Sequence, residues 1–246
     1  MDKYLLLIVL LSCQIAGAAP APLTVAWRNK PPLQYLENGE EKGLLLERAR
    51  RVFAEANVPV RFVEEPAKRI WANFSGGTAN YCSIGWYHLA EREKIAQYSA
   101  VFHTDPPHTV LLNIAAQARI AQHKSLLSLL ADPSLTLGLV DNVSYGPELD
   151  ALIGQARNHI ERDAVAPMVM ARMVQARRAD YMFIDTDDWT YLHGKNGNMR
   201  EIVELRLSDM PKGLNRYIVC SKDVAPATMR SINAALARIL AAAKQP

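Results

Sequence analysis

Strand-length apolar runs alternate with stretches of helical periodicity along this chain, and that alternation confines it to an α/β architecture. Leu23 to Trp27 reads as a first strand. After a Pro31-Pro32 break and an Asn38-Gly39 turn, Leu45, Ala49, Val52 and Ala56 recur at helical spacing, and Val58 to Val63 gives a second strand. Pro66 stands where the next helix begins, since proline lacks only an N–H that a first turn leaves unpaired anyway. That helix runs to Gly76-Gly77, Tyr81 to Trp86 forms a third strand, and a short helix carries Glu91 and Arg92. A second series follows: strands at Thr109 to Ile114, Leu135 to Val140 and Tyr181 to Ile184, with helices from Lys124, after Tyr145, and from Pro167 to Arg178. Short strands at Val203 to Leu207 and Arg216 to Cys220 precede a closing helix, Ala225 to Lys244, whose Met229, Ile232, Leu236, Ile239 and Leu240 share one face.

A chain of 246 residues, half of them hydrophobic and 22% charged, has the makings of an ordinary globular protein. It can bury roughly 70 to 75% of its unfolded surface without a disulfide framework. The net charge of +3, from 28 basic and 25 acidic residues, is too small an excess to argue for nucleic acid as a partner.

Lys3, the apolar run from Tyr4 to Ser12, and the small residues Ala16 and Ala18 have the pattern of a secretory signal peptide cut before Ala19. The run is too short to span a bilayer, which takes about 20 residues. Leu10-Leu11-Ser12-Cys13 also resembles a bacterial lipobox, though Leu11 is uncommon there, and lipidation of Cys13 would anchor the protein to a membrane surface. Export leaves Cys82 and Cys220 in an oxidising compartment, either bridged or buried as two inert thiols.

Enzyme signatures are sparse. There is no GxGxxG, GxxxxGK[ST] or GxSxG, and the six histidines show no HExxH spacing, so neither a cofactor nor a metal is expected. Polar and aromatic residues instead collect at strand ends, where open α/β sheets bind ligands. These are Trp27-Arg28-Asn29, Gly85-Trp86-Tyr87, Asp141 to Tyr145, and Asp185 to Trp189.

In order and spacing, these segments resemble the type II periplasmic solute-binding proteins, the polar amino-acid receptors of bacterial ABC importers (extracellular solute-binding protein family 3). The resemblance rests on Leu23 to Trp27 with Pro31-Pro32, the Gly43-to-Glu47 helix opening, Gly85 to Arg92, Gln97-Tyr98-Ser99, Leu137-Gly138-Leu139 leading to Ser144, and Arg178-Ala179-Asp180 leading to Asp185. Leu89 and Tyr98 replace the family's usual threonine and phenylalanine. The resemblance implies two α/β lobes joined by two crossing segments, near His103 to Pro107 and Ser208 to Gly213. After the signal peptide, 1–18, residues 19–105 and 210–246 would form the first lobe and 106–209 the second. Cys82 and Cys220 would then lie on neighbouring strands of the first lobe.

The resemblance also implies roles. Arg92 stands where the family binds a ligand carboxylate, Ser144 where a hydroxyl assists from the second lobe, and Asp185 where an acid holds the ligand's ammonium group. Trp27, Tyr35, Trp86 and Tyr87 are candidate aromatic walls. Arg69, with Lys68 at a helix start, works against the helix dipole, which fits either an anionic partner in the pocket or a solvated turn. Gly85 and Tyr87 replace small hydroxyl residues common in the family, and Trp27-Arg28 replaces a small and acidic pair, which points away from a simple amino-acid ligand. The implied function is a monomeric periplasmic receptor, without cofactor, that closes on a small polar, carboxylate-bearing, amino-acid-like solute and passes it to an inner-membrane ABC permease. The alternatives are a dehydratase-type enzyme on the same scaffold, with Asp185, Asp187, Asp188 or His88 as acid or base, and a sensory or accessory module.

Overall fold

A computed structural model describes residues 22–141, 143–164, 166–195 and 199–242. The signal-peptide segment and Cys13 lie outside these residues. The chain opens with β1 (Leu23–Trp27), β2 (Tyr35–Glu37), β3 (Glu40–Lys42), α1 (Leu44–Glu55), β4 (Val60–Glu64), α2 (Ala67–Ser75), β5 (Tyr81–Tyr87) and β6 (Ala96–Thr104). It continues with β7 (Thr109–Asn113), α3 (Gln117–Ile120), α4 (Leu126–Leu130), β8 (Thr136–Val140), α5 (Pro147–Ile153), β9 (His159–Asp163), α6 (Pro167–Gln175), β10 (Tyr181–Ile184) and α7 (Thr186–Lys195). The last elements are β11 (Ile202–Leu205), β12 (Asn215–Ser221) and α8 (Pro226–Ala242).

Two five-stranded sheets organise two lobes. The first has the order β4-β1-β5-β12-β6 and the second β11-β7-β10-β8-β9, while β2 and β3 make a separate hairpin around Asn38-Gly39. In the first sheet β1 runs parallel to β4 and β5, and β12 runs antiparallel to β5 and β6. Alternation along β1 sends Leu23, Val25 and Trp27 into a core shared with α1 and α8, and Ala26 into the opposite core with Ile70 and Phe74 of α2. In the second sheet Leu137, Leu139, Tyr181 and Phe183 pack toward α4 and α5, while Val140, Met182 and Ile184 pack against α6 and Trp189 of α7.

Cys82 and Cys220 are register partners across β5 and β12, and a disulfide joins them. Two strands, β6 and β9, carry no apolar run that marks them in the sequence. Both lie at a sheet edge, where one side meets solvent and polar residues such as those of His-Ile-Glu-Arg-Asp (159–163) are tolerated. Arg92 lies in a 3-10 turn, Ala90–Lys94, in place of the expected short helix.

The chain crosses between the sheets twice, between β6 and β7 and between β11 and β12. The crossings touch: the Asp105 amide donates to the Leu214 carbonyl at 2.9 Å. A Cβ at Gly213 would overlap the Asp105 carbonyl, so this close approach of two backbones requires glycine.

Candidate functional site: the cleft between the sheets

The parallel strands β1, β5, β8 and β10 all end at the gap between the two sheets, and β12, running the other way, begins there. A cavity of about 200 Å³ occupies the gap. From the first lobe it is lined by Arg28, Lys30, Tyr87 and Arg216, and from the second by His108, Ser144, Tyr145, Asp185 and Asp188, among others. A wider groove of about 480 Å³ draws its lining from the second lobe alone, including Leu139, Ser144, Ile153 and Arg162. The cavity in the gap engages both lobes at their strand ends, and a much smaller one beside it, lined by Lys30, Asp105, Asp185, Asp187, Asp188 and Arg216, continues the same gap.

Arg216 anchors the floor. It is 2% exposed, and its Nε donates to Asp105 Oδ1 at 2.6 Å, Nη1 to the Gly85 carbonyl at 3.1 Å and Nη2 to the Tyr87 oxygen at 2.6 Å. The Tyr87 hydroxyl in turn donates to Asp105 Oδ2 at 2.7 Å. Burial, above all, pushes the Tyr87 phenol up, so it stays protonated as a donor. Gly85 is needed here because β5 bulges against β12 between Ile84 and Trp86, with Gly85 at φ +77°, and an added Cβ would meet Leu45 Cδ1 at 2.9 Å.

Arg28 has a different environment. Its guanidinium lies 4.5 Å from the centre of the Trp86 ring, and Nε is buried with no hydrogen-bond partner. Among the described residues it forms no ion pair. Burial first, then the positive charges of Arg216 and Arg92, lower its pKa to about 10. A desolvated cation without a counter-ion is an electrostatic deficit that an anion in the cavity would relieve.

Across the gap, Lys30 Nζ stands 3.8 Å from both Asp185 Oδ2 and Asp188 Oδ1, and His108 Nε2 stands 3.3 Å from Asp185 Oδ1. Burial lowers the His108 pKa despite Asp185. Asp188 is pushed up to about 6 by burial, with Lys30 opposing and Asp185 reinforcing the shift.

Of the residues singled out from the sequence, Ser144, Asp185 and Tyr87 line the cavity. The Ser144 hydroxyl is already committed, donating to Asp150 Oδ2 at 2.5 Å and accepting from the Gly146 amide at 3.2 Å, which folds the turn into α5. Trp27 is corrected: it is 0% exposed and belongs to the first-lobe core, because it shares the inward parity of Leu23 and Val25. The Arg92 guanidinium stacks 3.8 Å from the Trp71 ring centre and lies 5.7 Å from that of Trp86, behind Arg28 and outside the cavity lining. Trp86 lies beneath Arg28, with its Nε1 donating to Ser83 at 2.8 Å, and supports the wall without forming it. Tyr35 is not among the cavity-lining groups and meets Tyr191 of α7 edge-to-face at 5.4 Å. Arg69 is exposed on α2, away from the cavity.

Arg28 was named among the strand-end residues without a role of its own, and Lys30, His108, Asp105 and Arg216 were not singled out. The strand-end rule reached Arg28 and stopped at Asn29, one residue short of Lys30. Arg216 and Asp105 are 111 residues apart, and no local pattern announces their pairing. Among the described residues no group of three or more His, Cys, Asp or Glu could hold a metal ion, and no helix is long and apolar enough to cross a membrane.

No family model and no curated protein sequence matches the chain. Solved structures do. The second substrate-binding domain of Lactococcus lactis GlnP in an open conformation superposes with a TM-score of 0.70 at 14% identity, over 90% of each chain. The second substrate-binding domain of a putative amino acid ABC transporter from Streptococcus pneumoniae gives 0.70 at 12%, over 90% of this chain and 94% of that one. An ancestral arginine-binding protein bound to arginine gives 0.62 at 17%, over 89% and 92%. At such identities the likeness concerns architecture, and the chain has the two-lobed type II periplasmic binding-protein fold of amino-acid ABC transporter substrate-binding domains.

Proposed function

We propose that the protein is a periplasmic solute receptor that closes its two lobes, 19–105 with 210–246 and 106–209, around a small polar solute bearing a carboxylate. The observation that carries this reading is Arg28, a cation in the interlobe cavity with a buried, unpartnered Nε. Contacts from both lobes are complete only when the cleft is shut, so ligand favours the closed state by its differential affinity. The receptor acts as a monomer and hands its solute to an inner-membrane ABC permease. Export would remove residues 1–18, and mass spectrometry of the periplasmic protein should find Ala19 at the N-terminus; a lipid-modified Cys13 would replace this with an anchored form.

The test is a thermal-shift screen of the mature protein against amino acids, hydroxy acids, dicarboxylates and sugar acids. A ligand at 100 times its Kd stabilises by about 2.7 kcal/mol. Shifts with neutral sugars alone would remove the carboxylate from the reading. Asp188, at about 6, is the observation that favours a dehydratase-type enzyme, since such a group can serve as a general acid. Conversion of the bound acid into product would decide for it.

A further inference from the structure

We infer that the cleft selects small organic acids that carry no α-ammonium group, because Lys30 of the protein already stands between the cavity's second-lobe acids while Arg28 is left without a counter-ion. This rests on the receptor reading above and specifies its ligand class.

Three cations, Arg28, Lys30 and Arg216, and two carboxylates, Asp185 and Asp188, line the cavity, with Asp105 and Asp187 beside them in the adjoining gap. Arg216 is consumed by Asp105, with Tyr87 and the Gly85 carbonyl completing its hydrogen bonds. Lys30 reaches Asp185 and Asp188 at 3.8 Å each, and the other Asp185 oxygen faces His108 at 3.3 Å. Both oxygens of Asp185 therefore have partners from the chain itself. Arg28 is the cation with no such partner, and its Nε is shut off from water.

A carboxylate entering this arrangement supplies what Arg28 lacks and disturbs nothing else. The guanidinium fork suits it, and the Trp86 ring supports the guanidinium from beneath, 4.5 Å away. An α-ammonium group has no comparable place. To reach Asp185, or the Asp188 oxygen that faces Lys30, it must displace Lys30, whose ammonium would then stand close to a second cation at the cavity's edge. Like charges brought together repel, and with Lys30, Asp185 and Asp188 only partly exposed, water screens that repulsion incompletely. A hydroxyl in place of the amino group avoids the conflict and has the same size.

Calorimetric titration with isosteric pairs tests this directly: lactate against alanine, and malate against aspartate. The hydroxy acid of at least one pair should bind at least about tenfold more tightly than its amino counterpart, a difference of about 1.4 kcal/mol. Lys30→Met should then narrow or reverse that ratio, because the freed Asp185 and Asp188 would accept the ligand's ammonium. Circular dichroism and the melting temperature show whether the variant is folded, and Lys30→Arg, which retains the cation, should keep the discrimination. Preference of the wild type for the amino acids would overturn the inference and leave the carboxylate receptor standing. Discrimination that survives in folded Lys30→Met would overturn the role of Lys30. Binding of neither member of either pair would overturn the inference, and if neutral sugars bind instead, the carboxylate reading falls with it.

Discussion

Asp105 accepts a 2.6 Å hydrogen bond from Arg216 Nε, joining the segment after β6 to the start of β12 where the two lobe crossings meet. Both partners are buried. Asp105→Ala leaves a guanidinium in the interior without its carboxylate, which typically destabilises by about 3 to 5 kcal/mol. The urea midpoint should fall accordingly. A midpoint within error of wild type would mean that Arg216 is held by Gly85 and Tyr87 alone.

Arg28 and Arg92 should behave oppositely. Arg28→Met deletes a cation without a counter-ion, so the ligand-free protein should be as stable as wild type or more so. Its affinity for a carboxylate ligand should drop roughly 30-fold to several thousand-fold, as when one partner of a desolvated charge pair is truncated. Arg92→Ala deletes a stack on Trp71, worth about 0.5 to 2 kcal/mol of stability, and should change Kd only slightly. The reverse pattern in melting and titration data would return the carboxylate to Arg92.

Acid should destabilise the protein through His103. Burial, then the charge of Arg48, lowers its pKa to about 4, and Arg48 Nη1 meets Nδ1 at 2.8 Å, which requires that nitrogen to accept. The unfolded chain takes up the proton near pH 6.5 and the folded one only near 4. Stability from this group is therefore complete above about pH 6.5 and is lost progressively as pH falls toward 4, by about 3 kcal/mol in all. Asp188 acts with the opposite sign, since its raised pKa makes the folded state bind a proton more tightly between about 6 and 4. Denaturant titrations across this range should show the acid loss flattened in His103→Gln and deepened in Asp188→Asn. Identical slopes in all three proteins would remove both assignments.

The Cys82–Cys220 bridge closes a loop spanning 138 positions. Long loops gain most from cross-linking, and removing such a bridge typically costs about 2 to 5 kcal/mol. Thiol titration of the denatured, unreduced mature protein should find no free thiol, and the paired serine variant should melt earlier. Two titratable thiols would show that the bridge does not form in the exported protein.

Tyr35 of β2 and Tyr191 of α7 meet edge-to-face between the lobes, beside the Lys195–Glu37 ion pair. An aromatic pair of this kind is worth about 0.5 to 1.5 kcal/mol, or roughly 2- to 10-fold in an equilibrium. Tyr35→Ala should weaken ligand binding by that factor, chiefly through faster dissociation. An unchanged dissociation rate would mean that the pair is equally formed in the open state.

Local periodicity by itself determined the α/β alternation, the core helices α1, α6 and α8, and the strand ends at which Asp185 and Tyr87 meet the cleft, because each depends on which residues of one segment face inward. The edge strands β6 and β9 escaped it, since a strand with one wet side needs no apolar run. Tertiary structure alone decided what the charges do. Trp27 went to the core by strand parity, Arg92 to Trp71, and Arg28 to an unpaired place over Trp86. Asp105 found Arg216 across 111 residues, and Lys30 found Asp185 and Asp188 from the other lobe. Such pairings follow from distance and dielectric in three dimensions, which sequence spacing does not encode.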